Sequence, residues 1–314
     1  MRAVTFAGFG EQPSLSDVPA LQLVEPDEVL VRVRAASLNR FDAMVSIGAL
    51  QGMLEYQFPV TLGRDFSGIV EGVGPSVTRF DVGDEVFGMV GKMVLGDGSF
   101  ADQVVVSQDY IAAKPAGIDF TQAAALPLAG TAAVLAVDWI DADEGKVVLI
   151  VGATGGVGNY AVQMAAAGGA TVIATGLPED EQHLRDLGAD EVVDYRGDVA
   201  GSVMERHPGG VDGLIDLASD GAGLAVLADV VHDGGRIASA LLAADVDGLA
   251  ERGIAATTLA AYPHAEILAQ LSAQVEEGTL RVPIRDVYPL GECTRGLDRF
   301  LFGSVRGKMA VSFD

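Results

Sequence analysis

The sequence predicts an α/β chain in two parts: a β-rich region with a parallel-sheet domain inserted into it. Three observations carry this expectation. Strand-like segments fill the first third of the chain, strand and helix patterns alternate through the middle, and the closing "KMAVSFD" returns to strand composition. The expected division is 1–118 with 256–314 for the β-rich part and 119–255 for the inserted domain. A chain of 314 residues, 49% of them hydrophobic, is long and apolar enough to give each part a core.

In order, "MRAVTFAGFG" and "EVLVRVRAASLN" have strand composition, and "VLVRVRA" alternates apolar with charged residues. "FSGIVEGVGPSV", "DVGDEVFGMV" and "GSFADQVVVS" continue the β pattern, punctuated by Gly and Pro. At "DFTQAAALP" the pattern changes. Asp119 is placed as a helix N-cap with Gln122 as its capping-box partner, and the helical run "GTAAVLAVDWI" follows. Next come strand "KVVLIVGA", helix "GVGNYAVQMAAAGG" and strand "ATVIATG". Helix "EDEQHLRDLGA" and strands "EVVDY" and "GVDGLIDLAS" follow, then helix "AGLAVLADVVHDGG" and strand "RIASAL". "HAEILAQLSAQVEEG" and "GLDRFLFGSV" read as helices before the final strand.

Charge and composition exclude several partners. The 44 acidic residues against 20 basic ones give a net charge of −24, which repels nucleic acid and anionic membranes. A lone Cys293 can form neither an internal disulfide nor a cysteine-rich zinc site. The N-terminal stretch has no apolar core or cleavage pattern of a secretory signal, so a cytoplasmic protein is expected. Residues 147–178 carry no charge, yet glycines break them at strand and helix lengths, the pattern of strands buried on both faces and not of a membrane span.

The stretch "IVGATGGVGNY" holds the strongest functional signal. A strand runs into Gly152-Ala153-Thr154-Gly155-Gly156-Val157-Gly158 and a helix follows, so Ala153-x-Gly155-x-x-Gly158 fits the dinucleotide fingerprint with Ala in the first Gly place. Small residues permit the tight turn and close backbone approach, and the helix start offers N–H groups to a pyrophosphate. The next strand ends at Thr175-Gly176, where an NAD site carries an acid for the ribose 2′-hydroxyl. Gly176 leaves room for a 2′-phosphate, whereas the acidic Glu179-Asp180-Glu181 opposes one. Arg185 reads as a solvated helix charge.

With "AASLNRFDAMVSIG", "PVTLGRDFSGIVEGVGPSVTRFDVGDEVFG", "AALPLAGTAAVLA", "LGADEVVDYR" and "GKMAVSF" added in order, the chain resembles the zinc-free quinone oxidoreductase branch of the medium-chain dehydrogenase/reductase superfamily. The resemblance implies a GroES-like catalytic domain split around a Rossmann domain, with an active site in the cleft between them. It implies that Asn39 lies near nicotinamide and substrate, that Thr131 approaches the nicotinamide, and that Tyr195 lies beside the adenosine 2′-phosphate. Zinc members carry Cys where this chain has Asn39, and Gly-His-Glu where it has Gly63-Arg64-Asp65. An amide and a guanidinium are not zinc ligands, so no zinc is expected. Tyr56 is a second catalytic candidate, as a proton donor, against the alternative of an ordinary core or surface tyrosine. Asp42 and Asp65 read as structural, and His183, His207, His232 and His264 show no ligand spacing.

The expected function is NADPH-dependent reduction of a quinone or an α,β-unsaturated carbonyl, with NADP(H) favoured over NAD(H). The electrophile is already activated by conjugation, so positioning and exclusion of water suffice without a metal. The alternatives are an enoyl-thioester reductase and a non-catalytic NADPH-binding protein with a structural or redox-sensing role. The expected partner is a small electrophilic molecule, and a homodimer is the expected assembly.

Overall fold

The computed structural model describes residues 1–92, 94–240, 243–303 and 305–313. Its contacts divide the chain into two units. One comprises residues 1–131, 262–278 and 282–314, and the other residues 132–261 and 279–281.

The first unit is built on a largely antiparallel sheet whose centre is the strand Glu28–Leu38. Val29, Val31, Val33 and Ala35 are buried on one face, while Arg32 and Arg34 point outward. Toward its end the alternation stops, and Ala36, Ser37 and Leu38 are all buried. Asp65–Val73 pairs antiparallel on one side and Lys308–Ser312 on the other, with Ser37 opposite Asp65 and Leu38 opposite Met309. The chain's final strand therefore lies beside one from its first quarter. Beyond it, Ile284–Pro289 pairs parallel with Lys308–Ser312. The capping box at Asp119 is present: Gln122 N donates to its carboxylate at 2.8 Å. The helix it starts, Phe120–Ala124, is tied to the sheet by Ser67 Oγ donating to Phe120 O at 2.6 Å.

The second unit is a six-stranded, wholly parallel sheet. Its order across the sheet is Glu191–Asp194, Thr171–Gly176, Val147–Val151, Val211–Asp216, Val231–Ser239 and Ala255–Thr258. Numbered by sequence this is 3-2-1-4-5-6, the doubly wound dinucleotide-binding order, which reverses beside Val147–Val151. The charge-free run is thereby explained: it holds two neighbouring central strands and the buried helix Gly156–Ala167. Among the described residues no helix is long and apolar enough to cross a membrane.

One expected helix is shorter than its sequence suggests. "AGLAVLADVVHDGG" is helical only over Gly221–Leu227, continues as a single 3-10 turn, and becomes strand at Val231. Pairing of Val231 with the buried Val211 overrides the helical periodicity of the Ala-rich segment. The expected strand "RIASAL" reaches Leu241, the helix "GLDRFLFGSV" includes Ser304 and "KMAVSFD" ends on Asp314; these three residues lie outside the described ones.

Candidate functional site

In the second unit, strand Val147–Val151 delivers the chain into the glycine loop at the point where strand order reverses. Gly152 turns the chain with φ +79°, a conformation that side chains with a Cβ resist. Gly158 serves close packing: a Cβ there would lie 2.3 Å from Gly152 O and 2.6 Å from Ala153 Cα. A Cβ at Gly155 would meet only Gly152 O, at 3.3 Å, so this side of the loop is open. Gly155 caps the twelve-residue helix Gly156–Ala167, whose first-turn amides at Gly156, Val157 and Gly158 have no intrahelical acceptor. Open space beside an N-terminal turn of free N–H groups fits a pyrophosphate.

Neighbouring side chains fix the loop. Thr175 Oγ1 accepts from Gly152 N at 3.1 Å, which ties the strand end to the loop. Asn159 Nδ2 donates to Ala153 O and Gly155 O, both at 3.0 Å, and its Oδ1 lies 2.9 Å from His183 Nε2. Gly176 ends its strand buried, and a Cβ there would lie 2.6 Å from Leu184 Cδ1. Tyr195 is 48% exposed just past the strand Glu191–Asp194. Arg185 is held by Glu181 at 2.9 Å, as a helix surface charge. Asp216 and Ser239 stand opposite each other at the ends of adjacent strands. Asp216 Oδ1 accepts from Ala218 N and Ser219 N, while its Oδ2 and Ser239 Oγ are buried without a hydrogen-bond partner among the described residues.

In the first unit, three strand termini bring three distant polar residues together. Asn39 follows Glu28–Leu38 and precedes the helix Arg40–Ser46; Asp65 and Lys308 begin the flanking strands. Asp65 accepts from Ser37 Oγ at 2.8 Å, Asn39 Nδ2 at 2.9 Å and Leu128 N at 2.9 Å, with Lys308 Nζ 3.7 Å away. Burial pushes Asp65 up and Lys308 down, and each is the nearest compensating charge of the other. Three donors converging on Asp65 favour its ionised form. Asp42 Oδ2 accepts from Asn39 N at 2.8 Å; burial, then the charge of Asp65, pushes its carboxyl up to about 7. The Arg64 guanidinium lies over Phe41, 4.5 Å from the ring centroid, and donates to Val90 O at 2.6 Å.

The remaining candidates stand apart from one another. Thr131 is fully buried, and among the described residues its Oγ1 has no hydrogen-bond partner. Tyr56 belongs to an aromatic cluster with Phe9 and Phe58, at centroid distances of 4.9 and 6.0 Å, and burial raises its hydroxyl pKa. Asn39 is thus the sequence-predicted residue of this unit that sits within a polar cluster.

Comparison with known proteins matches two stretches of the chain. Residues 25–116 match the alcohol dehydrogenase GroES-like domain, and residues 187–311 match the zinc-binding dehydrogenase domain. The solved quinone oxidoreductase of Coxiella burnetii superposes with a TM-score of 0.91 at 31% identity, over 100% of this chain and 99% of that one. The chain belongs to the quinone oxidoreductase branch of the medium-chain dehydrogenase/reductase superfamily. Within it, the chloroplastic quinone-oxidoreductase QR1 of Triphysaria versicolor is 32% identical over 227 residues, 70% of this chain and 68% of that protein. The mitochondrial NAD(P)H oxidoreductase RTN4IP1 of Mus musculus is 37% identical over 198 residues, 58% of this chain but only 49% of its own length.

Zinc, which the description of the second matching domain names, does not fit the donors at hand. An amide, a guanidinium and a carboxylate occupy the positions of interest, with the Lys308 ammonium among them. Among the described residues, no three or more His, Cys, Asp or Glu are grouped so as to hold a metal ion. Sequence reasoning missed Lys308 and read Asp65 only as structural. The available signal was a lysine at the head of the apolar "KMAVSF" strand, a place where a buried charge needs a partner. It also missed Asn159 and His183, whose contacts close on the loop only in three dimensions.

Proposed function

We propose that the protein is an NADPH-dependent, zinc-independent oxidoreductase that delivers hydride to a quinone or an α,β-unsaturated carbonyl. The observation that carries this reading is Asn39, an amide held among buried charges in place of a metal-binding set. Gly155, Gly156, Val157 and Gly158 would hold the pyrophosphate. Bound there, the nicotinamide would supply hydride to an acceptor carbon already made electrophilic by conjugation. Asn39 Nδ2 has a second hydrogen to offer the acceptor's oxygen as charge develops on it. The similarity to proteins named quinone-oxidoreductase and NAD(P)H oxidoreductase supports the substrate class and the cofactor type.

NADPH is favoured over NADH because Gly176 puts no carboxylate at the end of its strand. The exposed Glu179 opposes this, so the preference is modest, about tenfold. Gly176→Asp is an unsuitable test, because Leu184 fills the space a side chain needs. Glu179→Gln is cleaner and should widen the preference for NADPH. Dissociation constants for both nucleotides at one ionic strength check this; tighter NADH binding by the wild-type protein would reassign the cofactor. The activity itself is tested by following NADPH absorbance with a panel of quinones, enones and enoyl thioesters. Turnover with quinones or enones is expected; NADPH binding without turnover of any acceptor would leave a binding protein.

A further inference from the structure

Asn39 is gripped at three points. Lys308 Nζ donates to its Oδ1 at 2.7 Å, its Nδ2 donates to Asp65 Oδ2 at 2.9 Å, and its backbone N–H donates to Asp42 Oδ2 at 2.8 Å. An ammonium has only donors and a carboxylate only acceptors, so the amide fits in one orientation. Flipped, it would set NH₂ against NH₃⁺ and oxygen against oxygen. The gripping groups are themselves anchored: Asp65 by Ser37 Oγ and Leu128 N, and Lys308 by Leu38 O at 3.5 Å. Lys308 is 3% exposed and Asp65 not at all. A buried ion pair gains little stability over apolar residues of like volume, so this pair at the head of an apolar strand calls for another use.

We propose that Lys308 and Asp65 are positioning residues that lock the Asn39 amide, so that its second Nδ2 hydrogen is a fixed donor to the oxygen of the hydride acceptor. This rests on the reductase reading above. The grip orients a neutral donor before substrate arrives, so the amide does not reorganise as negative charge develops. One Nδ2 hydrogen is spent on Asp65, and the bonds among the described residues leave the other uncommitted.

The test is a double-mutant cycle of Lys308→Met and Asn39→Ala, read by single-turnover oxidation of saturating NADPH with 1,4-benzoquinone. Lys308→Met should slow hydride transfer by about tenfold or more, shift the NADPH dissociation constant by no more than about threefold, and add nothing in the Asn39→Ala background. A loss that recurs undiminished without Asn39, or no loss at all, overturns the proposal. Should Lys308→Met fail to fold, side-chain ¹⁵N spectra of the wild-type protein decide. The Asn39 Nδ2 hydrogen that meets Asp65 should resonate well downfield of its twin; a pair with the spacing of a solvent-exposed asparagine overturns the grip. The spectra need no turnover, so a wild-type protein inert toward every acceptor defeats the reductase reading while the grip is judged separately.

Discussion

The glycine loop and the Asn39 cluster solve the problem of placing polar groups in opposite ways. The loop is contiguous: Gly152 to Gly158 follow one strand and start one helix, and its geometry comes from the absence of side chains. The cluster is assembled from Ser37, Asn39, Asp42, Asp65, Leu128 and Lys308, and its geometry comes from buried charges that constrain one another. The loop should therefore fail when something is added to it. The cluster should fail when something is taken away.

The largest effect is expected in the cluster. Asp65→Leu leaves the Lys308 ammonium buried without its counter-charge and strands the Leu128 N–H, which should cost about 3–5 kcal/mol of stability. Urea unfolding at neutral pH measures it. A loss below about 1 kcal/mol would show that the charges do not depend on each other as the bonds imply.

In the loop, Gly158→Ala adds one carbon that would sit 2.3 Å from Gly152 O. The helix start must move, at about 1–3 kcal/mol in stability, with a fall in NADPH affinity of about tenfold or more. Thermal melting and fluorescence titration read the two together. An unchanged melt would mean that helix and strand pack less closely than the geometry states.

A smaller, pH-dependent effect sharpens the comparison, because the loop has no titrating group of this kind. Asp42 has its carboxyl pushed up to about 7, so the folded chain holds a proton that the unfolded chain has released. Its stabilising contribution is full below about pH 4 and is lost as pH rises through about 7. Relative to Asp42→Asn, the wild-type protein should lose a few kcal/mol between pH 4 and 8, since each tenfold gain in proton affinity on folding is worth about 1.4 kcal/mol. Parallel urea curves across that range test it; a constant difference would mean that Asp42 is ionised throughout.

These differences also govern what the sequence made legible. The loop, its strand and its helix were readable because the residues concerned are neighbours in the chain and carry a small-residue spacing. The parallel sheet was readable from strand–helix alternation, apart from Val231, whose strand state depends on Val211, and the sixth strand Ala255–Thr258, where no strand was expected. Asn39 was found only through resemblance. Lys308 was out of reach because Leu38–Met309 pairing, far apart in sequence, puts it beside Asn39. The lysine at the head of "KMAVSF" shows locally that a charge needs a partner, but which partner it meets leaves no local pattern to read.

The central claim is that the loop binds cofactor while the Asn39 amide acts on the transferring hydride. Gly155→Val and Asn39→Ala separate the two directly when NADPH dissociation constants and single-turnover rates at saturating NADPH are measured side by side. The account predicts that Gly155→Val weakens NADPH by well over tenfold, about 1.4 kcal/mol or more. It predicts that Asn39→Ala leaves affinity within about threefold and slows hydride transfer by about tenfold or more. Asn39→Ala weakening NADPH as much as Gly155→Val does, with the rate at saturation unchanged, would contradict it.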